Sequence, residues 1–368
     1  MPKILLPIFK NILVLINIGV IICYLATCLL PFINTEVLWF IAILGLGFPL
    51  LFFALAGFII FWLMYKSRWW WISLIILLIG FKQISSVFAF NSPSIFSLQR
   101  TPGTLRVLHW NVSNWGQGYN HDHSFRDKMF DLVKEQQADV LCLQEFIEPK
   151  SKNPARSNIL DLKKMGYSYY YFIPSSPKLS DVGAGIAIFS KYPMSNEEKY
   201  AFSKNKIGEH LLISDVYVHG KIFRIMTMHL QSVRFDGTDY DNFNQIKKGK
   251  NPKLKGSRTL LSKLKRGYQF RYEQAVLVDS KIAESPYPVI ITGDFNDVPN
   301  SSTYFKIKGQ LQDAFLKKGT FLGRTFRFLS PTLRIDYILA DKSFKVEQFK
   351  RLKVPYSDHY GLVTDLRY

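Results

Sequence analysis

At 368 residues the chain is too long for one ordinary domain and short for three. Its three cysteines exclude a disulfide framework: Cys23 and Cys28 fall in one apolar run and Cys142 in another, so each reads as a small buried hydrophobe. A formal charge of +19 excludes a preference for cationic partners and favours anionic ones, namely nucleic acid, phospholipid headgroups or phosphorylated small molecules.

Residues 1–90 are not globular in composition. Ile12 to Ile33 is almost wholly apolar, Leu38 to Tyr65 carries no charge, and Trp69 to Phe90 is apolar except around Lys82 and Gln83. Each run can cross roughly 30 Å of hydrocarbon as a helix. Three in succession argue against a cleaved signal peptide. Trp39, Trp62, Tyr65 and Trp69 to Trp71 fall near the ends, where aromatic belts form. The expectation is three transmembrane helices in residues 1–90, set in the lipid bilayer of a cell or inner membrane. Lys82 is the exception in the third; it snorkels or marks an early exit. Lys3 and Lys10 precede the first run, and Lys66 and Arg68 follow the second. The loop Asn34-Thr35-Glu36 has no Lys or Arg. That bias places the N-terminus in the cytoplasm and, with three spans, the rest of the chain outside it.

Residues 91–103 contain Ser, Pro and Gly and read as a linker. Beyond residue 100 the chain carries 41 basic and 27 acidic residues, a charge of +14, which also suits a domain held against an anionic leaflet. From residue 104 to 368 short apolar strands alternate with amphipathic helices. Leu105 to Asn111 reads as a strand, Ser124 to Gln137 as a helix with Phe125, Met129, Phe130, Leu132 and Val133 on one face, and Ala138 to Leu143 as a strand closing on Gln144-Glu145. A short helix at Ser157 to Met165 precedes a strand at Ala184 to Phe189. Leu211 to Tyr217 and Ile222 to Thr227 flank His219-Gly220 as a hairpin that runs into His229. A basic insert follows. It holds Lys247, Lys248, Lys250, Lys253, Lys255, Arg258, Lys263, Lys265, Arg266 and Arg271, loop-like at first and helical from Ser257 towards Ala283. Such a run is either a solvated face or an overhang of the site. Val289 to Ile291 is a buried strand between Pro288 and Gly293 that delivers Asp294 and Asn296 to a sheet edge. Leu333 to Leu339 is a strand holding Asp336, and the chain closes on Ser357-Asp358-His359.

These endings form a constellation. A hard divalent cation wants oxygen ligands and keeps several waters; Glu145 can supply them with help from Asn111 and Asp358. Phosphate-ester hydrolysis needs an activated water, charge neutralisation and leaving-group help. Asp294, and His359 with a carboxylate partner, fit the water-activating roles. Asp294 beside Asn296 can position a water and hold an anionic oxygen. Two histidines without cysteine partners do not make structural zinc. Singly, Asn111 reads as a turn, Glu145 as a surface charge and His229 as a hydrogen-bonded core residue. The joint pattern is what argues for a site.

The order of these stretches resembles the endonuclease/exonuclease/phosphatase superfamily, the group of deoxyribonuclease I, exonuclease III and sphingomyelinase-type phosphodiesterases. The matching residues are Trp110-Asn111, Leu143-Gln144-Glu145, Gly185 to Pro193, Thr227 to Leu230, Gly293 to Asn296, Arg334 to Ile338 and Ser357 to His359. The resemblance implies an α/β fold, a four-layer sandwich of two packed mixed sheets flanked by helices. It implies Glu145 as the main ligand of Mg²⁺ (or Mn²⁺), with Asn111 and Asp358 close by. Asp294 and Asn296 would orient the attacking water and the phosphate, His359 would pair with Asp336, and His229 would contact the phosphate or assist the leaving group. Either Asp294 or His359 is then the base. Met228 departs from the polar or small residue that many relatives carry before the histidine, and the basic insert is longer than the simplest relatives need.

The expected activity is that of a membrane-anchored, metal-dependent phosphoesterase acting on an anionic phosphate ester. Its charge favours nucleic acid, and hence a nuclease; its anchor favours a phospholipid or inositol phosphate. A non-catalytic anion-binding module would have lost a ligand or a histidine, and none is lost.

Overall fold

The computed structural model describes residues 5–116, 124–149, 157–175, 182–202, 209–233 and 254–368. The apolar front forms α1 (Leu5–Cys28), α2 (Trp39–Leu46), α3 (Phe48–Met64), α4 (Trp69–Ile79) and α5 (Phe81–Val87). Of these, α1 has one stretch, Phe9–Cys28, that is long and apolar enough to cross a membrane. The pairs α2 with α3 and α4 with α5 pass the same test only together, bent by 65° and 63°. Three transmembrane helices were expected; among the described residues one helix is long and apolar enough to span, or there are up to three spans if each bent pair counts as one. The breaks have local causes. Gly47 caps α2, and Pro49 at the start of α3 cannot continue a helix from behind. Gly80 lies against α1 so closely that a Cβ there would sit 2.0 Å from Tyr24 Oη. Alone, the 11 residues of α4 reach only about 16 Å. The chain bends just before Lys82, whose Nζ lies 5.1 Å from the Phe32 ring and 5.4 Å from the Phe305 ring. Inside the helical bundle the fully buried Asn17 Oδ1 accepts Trp62 Nε1 of α3 (2.9 Å) and Ser73 Oγ of α4 (3.1 Å). Through its carbonyl oxygen this one amide thus ties three helices.

The remainder is a layered α/β sandwich. In chain order it comprises β1 (Ala89–Phe90), β2 (Thr104–Asn111), α6 (Ser124–Gln136), β3 (Val140–Pro149), α7 (Asn158–Lys164), β4 (Tyr169–Pro174) and β5 (Val182–Ser190). Then come β6 (Met194–Ala201), β7 (His210–Val218), β8 (Lys221–His229), α8 (Leu254–Ala283), β9 (Val289–Asp294) and α9 (Ser302–Lys308). Last are β10 (Gln312–Asp313), α10 (Ala314–Lys318), β11 (Thr320–Phe321), β12 (Asp336–Ala340), β13 (Lys345–Leu352) and β14 (Gly361–Arg367). One sheet has the order β10-β12-β9-β8-β7-β6 and the other β13-β14-β2-β3-β5-β4. Both are mixed: β8 runs parallel to β9 and β2 parallel to β3, among antiparallel neighbours. The inner faces meet through residues such as Val107, Cys142 and Ile188 on one side and Leu212, Ile225 and Ile290 on the other. Outside, α6 covers one sheet with Met129, Phe130 and Val133, and α8 with α9 covers the other through Ala275, Val278, Tyr304 and Ile307. Central strands covered on both faces need near-continuous apolar runs, and every residue of β9 is buried.

Several expectations shift at their edges. The strand expected from Leu333 begins at Asp336, because the buried Arg334 turns away to meet Asp313 Oδ2 through Nη1 (2.6 Å) and the carbonyl of Ser86 through Nη2 (2.6 Å). The linker is fastened down: Asn91 Nδ2 donates to the Leu316 and Gly319 carbonyls (3.0 and 2.9 Å), and Arg106 Nη2 donates to that of Ser97 (3.0 Å). The helical front also touches the sandwich directly. Leu30 and Ala42 pack on Tyr268 of α8, and Ser302 Oγ donates to the Leu30 carbonyl (2.6 Å).

Arg334→Met would leave Asp313 buried without its cation and free the Ser86 carbonyl. Breaking such a buried pair costs about 3–5 kcal/mol. The thermal midpoint of the intact chain should fall accordingly; an unchanged midpoint would show the pair to be dispensable.

Candidate active site

Parallel pairing brings the ends of β2, β3, β8 and β9 to one edge. Asn111 is level with Gln144, His229 with Asp294, and Asp294 in turn with Asp336 across the antiparallel β9–β12 pair. Glu145 is placed by an irregularity. The β3–β5 register slips between Gln144 and Phe146, and Glu145 takes a left-handed φ of 50°. An inserted residue of this kind re-aims a side chain, here towards the cleft. Gln144 beside it stays fully buried and donates through Nε2 to Thr227 Oγ1 of the opposite sheet (2.8 Å). Asn296 also has φ 50°, which asparagine tolerates. Its backbone N–H caps Asp294 Oδ1 (2.9 Å), and its Nδ2 donates to the Leu230 carbonyl (3.0 Å).

Asn111 bridges two carboxylates. Its Nδ2 lies 3.1 Å from Glu145 Oε1 and 3.1 Å from Asp294 Oδ2, and its Oδ1 accepts the Ser113 N–H (3.1 Å). Asp294 Oδ2 is 3.6 Å from both His229 Nε2 and His359 Nε2. His359 Nδ1 lies 2.9 Å from Asp336 Oδ2, and His109 Nε2 lies 3.2 Å from Asp336 Oδ1. The ring of Phe326 meets His359 edge-on at 5.0 Å, and Trp110 Nε1 donates to the His359 carbonyl (3.0 Å). Glu145, His229, Asp294, Asn296, Asp358 and His359 line one cleft of about 430 Å³. Asn111 and Asp336 sit directly behind, bonded to the lining groups. All eight residues expected from the sequence therefore converge.

Three contributors were not anticipated. His109, fully buried, faces the same way as Asn111 two residues on, so the strand period alone pointed to it. Phe326 carried no polar signal. Arg271 was counted among the cations of the insert, yet it is 1% exposed. It lines the cleft and reaches Asp297 Oδ2 (3.2 Å) and the Gln231 carbonyl (3.1 Å). Lys247, Lys248, Lys250 and Lys253 lie outside the described residues. Lys255 falls in α8, on which Arg258, Lys265 and Arg266 are exposed.

The electrostatics follow from burial and neighbours. Burial pushes the Asp294 carboxyl above the usual range, offset in part by the charge of His359. Burial would do the same to Asp336, but the charge of His359 and the bonds from His109 and His359 outweigh it and hold that carboxyl low. Burial alone would discharge His359; the charges of Asp336 and Asp294 instead hold its imidazolium well above the ordinary value. The raised histidine contributes stability below its unfolded value that is lost as pH rises through the folded one. The lowered aspartate contributes stability above its unfolded value that is lost as pH falls through the folded one. The pair is thus ionised across the neutral range.

The donor set suits a hard divalent ion. Glu145, Asp294 and Asp358 line the cleft with carboxylates, and the Glu145 carboxylate accepts from Asn111. Ligand atoms of Asp294, Asp336 and His359 also lie within 4.8 Å of one another, a buried triad close enough to hold a metal. Both oxygens of Asp336 already accept from imidazoles, so Glu145 is the freer ligand.

The model of the Endonuclease/Exonuclease/phosphatase family matches residues 108–359. That of a domain of unknown function, DUF8431, matches residues 10–87. No curated protein matches. Among solved structures, an endonuclease/exonuclease/phosphatase from Beutenbergia cavernae is similar at 22% identity over 72% of this chain and 71% of that one, with a TM-score of 0.53. A humanized D. rerio TDP2 is similar at 22% identity over 72% of this chain and 100% of that one, with a TM-score of 0.50. At this identity the likeness is one of fold.

Asp336→Asn would remove the carboxylate that keeps His359 charged and leave burial to dominate. The imidazole titration, followed by NMR, should move down. An unmoved titration would take Asp336 out of the pair.

Proposed function

The chain belongs to the endonuclease/exonuclease/phosphatase family and is a hydrolase acting on phosphoester bonds, and from that premise we propose that it is a membrane-anchored enzyme dependent on a divalent metal. The observation that supports this most is the continuous row from His109 through Asp336 and His359 to Asp294, with Glu145 and Asn111 beside it. Mg²⁺ or Mn²⁺ would be held by Glu145 with Asp358, and Asn111 adjacent. When bound it neutralises charge on the phosphate as the ester breaks.

The chain's own residues supply the remainder. His359 carries its Nδ1 proton towards Asp336 and stays an imidazolium, so it is a poor base; its Nε2–H holds a phosphate oxygen. Asp294, between the two imidazoles and capped by Asn296, is the group left to take a proton from water. The water oxygen forms a bond to phosphorus, one ester P–O bond breaks, and the departing oxygen takes a proton from His229, which is one-fifth exposed at the cleft mouth. His109 keeps Asp336 oriented from the second sheet.

The anchor reading rests on α1 and on the two bent pairs. Trp62 pairs with Asn17, and Tyr24 Oη with the Leu77 carbonyl (3.1 Å), so α1, α3 and α4 run alternately up and down. Lys10, Lys66 and Arg68 then fall at the end away from the sandwich. Cytoplasmic retention of those cations would put the sandwich on the outer face.

Chelation should abolish phosphodiester hydrolysis and Mg²⁺ or Mn²⁺ should restore it. Glu145→Gln should raise the metal concentration needed for half-maximal rate. Asp294→Asn should lower kcat by about 10²–10⁴-fold with little change in thermal midpoint. Full activity in excess chelator, or an Asp294→Asn enzyme with normal kcat, would sink the mechanism.

A further inference from the structure

The catalytic cleft is lined by two unlike sets of side chains. One is the carboxylates and imidazoles. The other is apolar and includes Leu46, Leu264, Leu329 and Leu333, and the same lining also holds Arg271, Ser330 and Thr332. Leu46 is the last residue of α2, immediately before the Gly47 bend into α3, so a helix of the apolar front forms part of the wall. The sequence of α2, WFIAILGL, carries no polar side chain except the Trp39 indole. Leu264 and Tyr268 of α8 pack against that helix and against Leu30.

The surroundings have the composition of a water–lipid boundary. Lys265 Nζ lies 5.4 Å from the Trp39 ring, and Gln269 Nε2 donates to the Glu36 carbonyl (2.8 Å). An indole beside a lysine at the end of an apolar helix is the usual anchor pair at such a boundary. Val37 and Phe40 stay 68% and 54% exposed next to it. Arg258 and Arg266 are exposed on the same α8, where they attract anionic headgroups. The reacting groups and Leu46 of the apolar front therefore line the same cleft.

We propose that this cleft takes a phosphate-ester lipid from the adjoining leaflet. The phosphate lies at Asp294 and His359, and the hydrocarbon chain runs along Leu46, Leu264 and Leu333. This rests on the reading above of a membrane-anchored, metal-dependent phosphoesterase. A nucleic acid has no chain to lay on that wall and leaves it in water, a cost that grows with the apolar area exposed.

The test uses the full-length chain in phosphatidylcholine vesicles with Mg²⁺ and two probes with the same scissile bond, ethyl and dodecyl p-nitrophenyl phosphate. Water adds to phosphorus and p-nitrophenolate leaves, giving the alkyl phosphate in both cases. The dodecyl ester should be favoured in kcat/KM by more than tenfold. Leu46→Trp, which fills the wall, should bring that ratio down at least threefold. Partition into the vesicles is the same for both proteins, and a misfolded fraction lowers both rates together, so only contact with the chain moves the ratio. In a second measurement, dodecyl phosphate with a terminal diazirine is photolysed on the unsubstituted chain; the label should fall on the peptides containing Leu46 or Leu264. Equal kcat/KM for the two esters, a ratio unmoved in Leu46→Trp, or label confined to α1 and α3 would each overturn the lipid assignment while the phosphoesterase reading stands. Hydrolysis of neither ester with Mg²⁺ or Mn²⁺ would overturn both.

Discussion

The Asp336 carboxylate is a charge held wholly out of water, and the site is arranged around the need to satisfy it. A buried carboxylate persists only if donors replace its hydration. Those donors, His109 and His359, come from the β2 side of the sandwich, whereas Asp336 belongs to β12 in the other sheet. Asn111 repeats the crossing by bonding Asp294, and Gln144 repeats it by bonding Thr227. The two sheets are therefore not only packed through their apolar inner faces. At the catalytic edge they are stitched by polar bonds that exist only when the sandwich is closed, so a partly opened sandwich holds no site.

That edge also carries backbone of an unusual kind. Glu145 and Asn296 are both left-handed, and both belong to the group of side chains facing the cleft. For Glu145 such a conformation costs of order 1–3 kcal/mol and persists because its neighbours determine it. Phe146 after it is fully buried among Trp115, Phe172 and Phe189, and Gln144 before it is bonded across the sandwich. Two immobile residues force the one between them outwards. Gly293 shows the same crowding, since a Cβ there would lie 2.6 Å from the Met228 carbonyl oxygen.

Much of this was legible in the sequence. Central strands are covered on both faces, so β2, β3 and β9 show as apolar runs, and their polar last residues stand out against them. That contrast located Asn111, Glu145, Asp294 and, through the closing segment, His359. The edge strands β6 and β13 read MSNEEKYA and KVEQFKRL; half their side chains face water, and no apolar run marks them. The slip at Glu145 has no sequence signature, because it comes from packing on either side. Arg271 looked like one more cation on a basic helix. Its burial depends on Asp297, which follows in the turn after β9, and only the fold brings the two together. The bends at Gly47 and Gly80 were equally hidden, since glycine and proline occur in straight membrane helices too.

The way Arg334 and Ser302 reach back to the Ser86 and Leu30 carbonyls has a consequence for how the chain can be divided. Composition puts a seam at residues 91–103, and a designer would cut there to obtain a water-soluble enzyme. In space these bonds join the two sides of that seam. Cutting would strip two buried donors of their acceptors, bare the Tyr268 and Leu264 face of α8, and remove one wall of the cleft. The excised piece would inherit an adhesive surface and an altered pocket together. The front of the chain is thus packed as part of the body that holds the cleft.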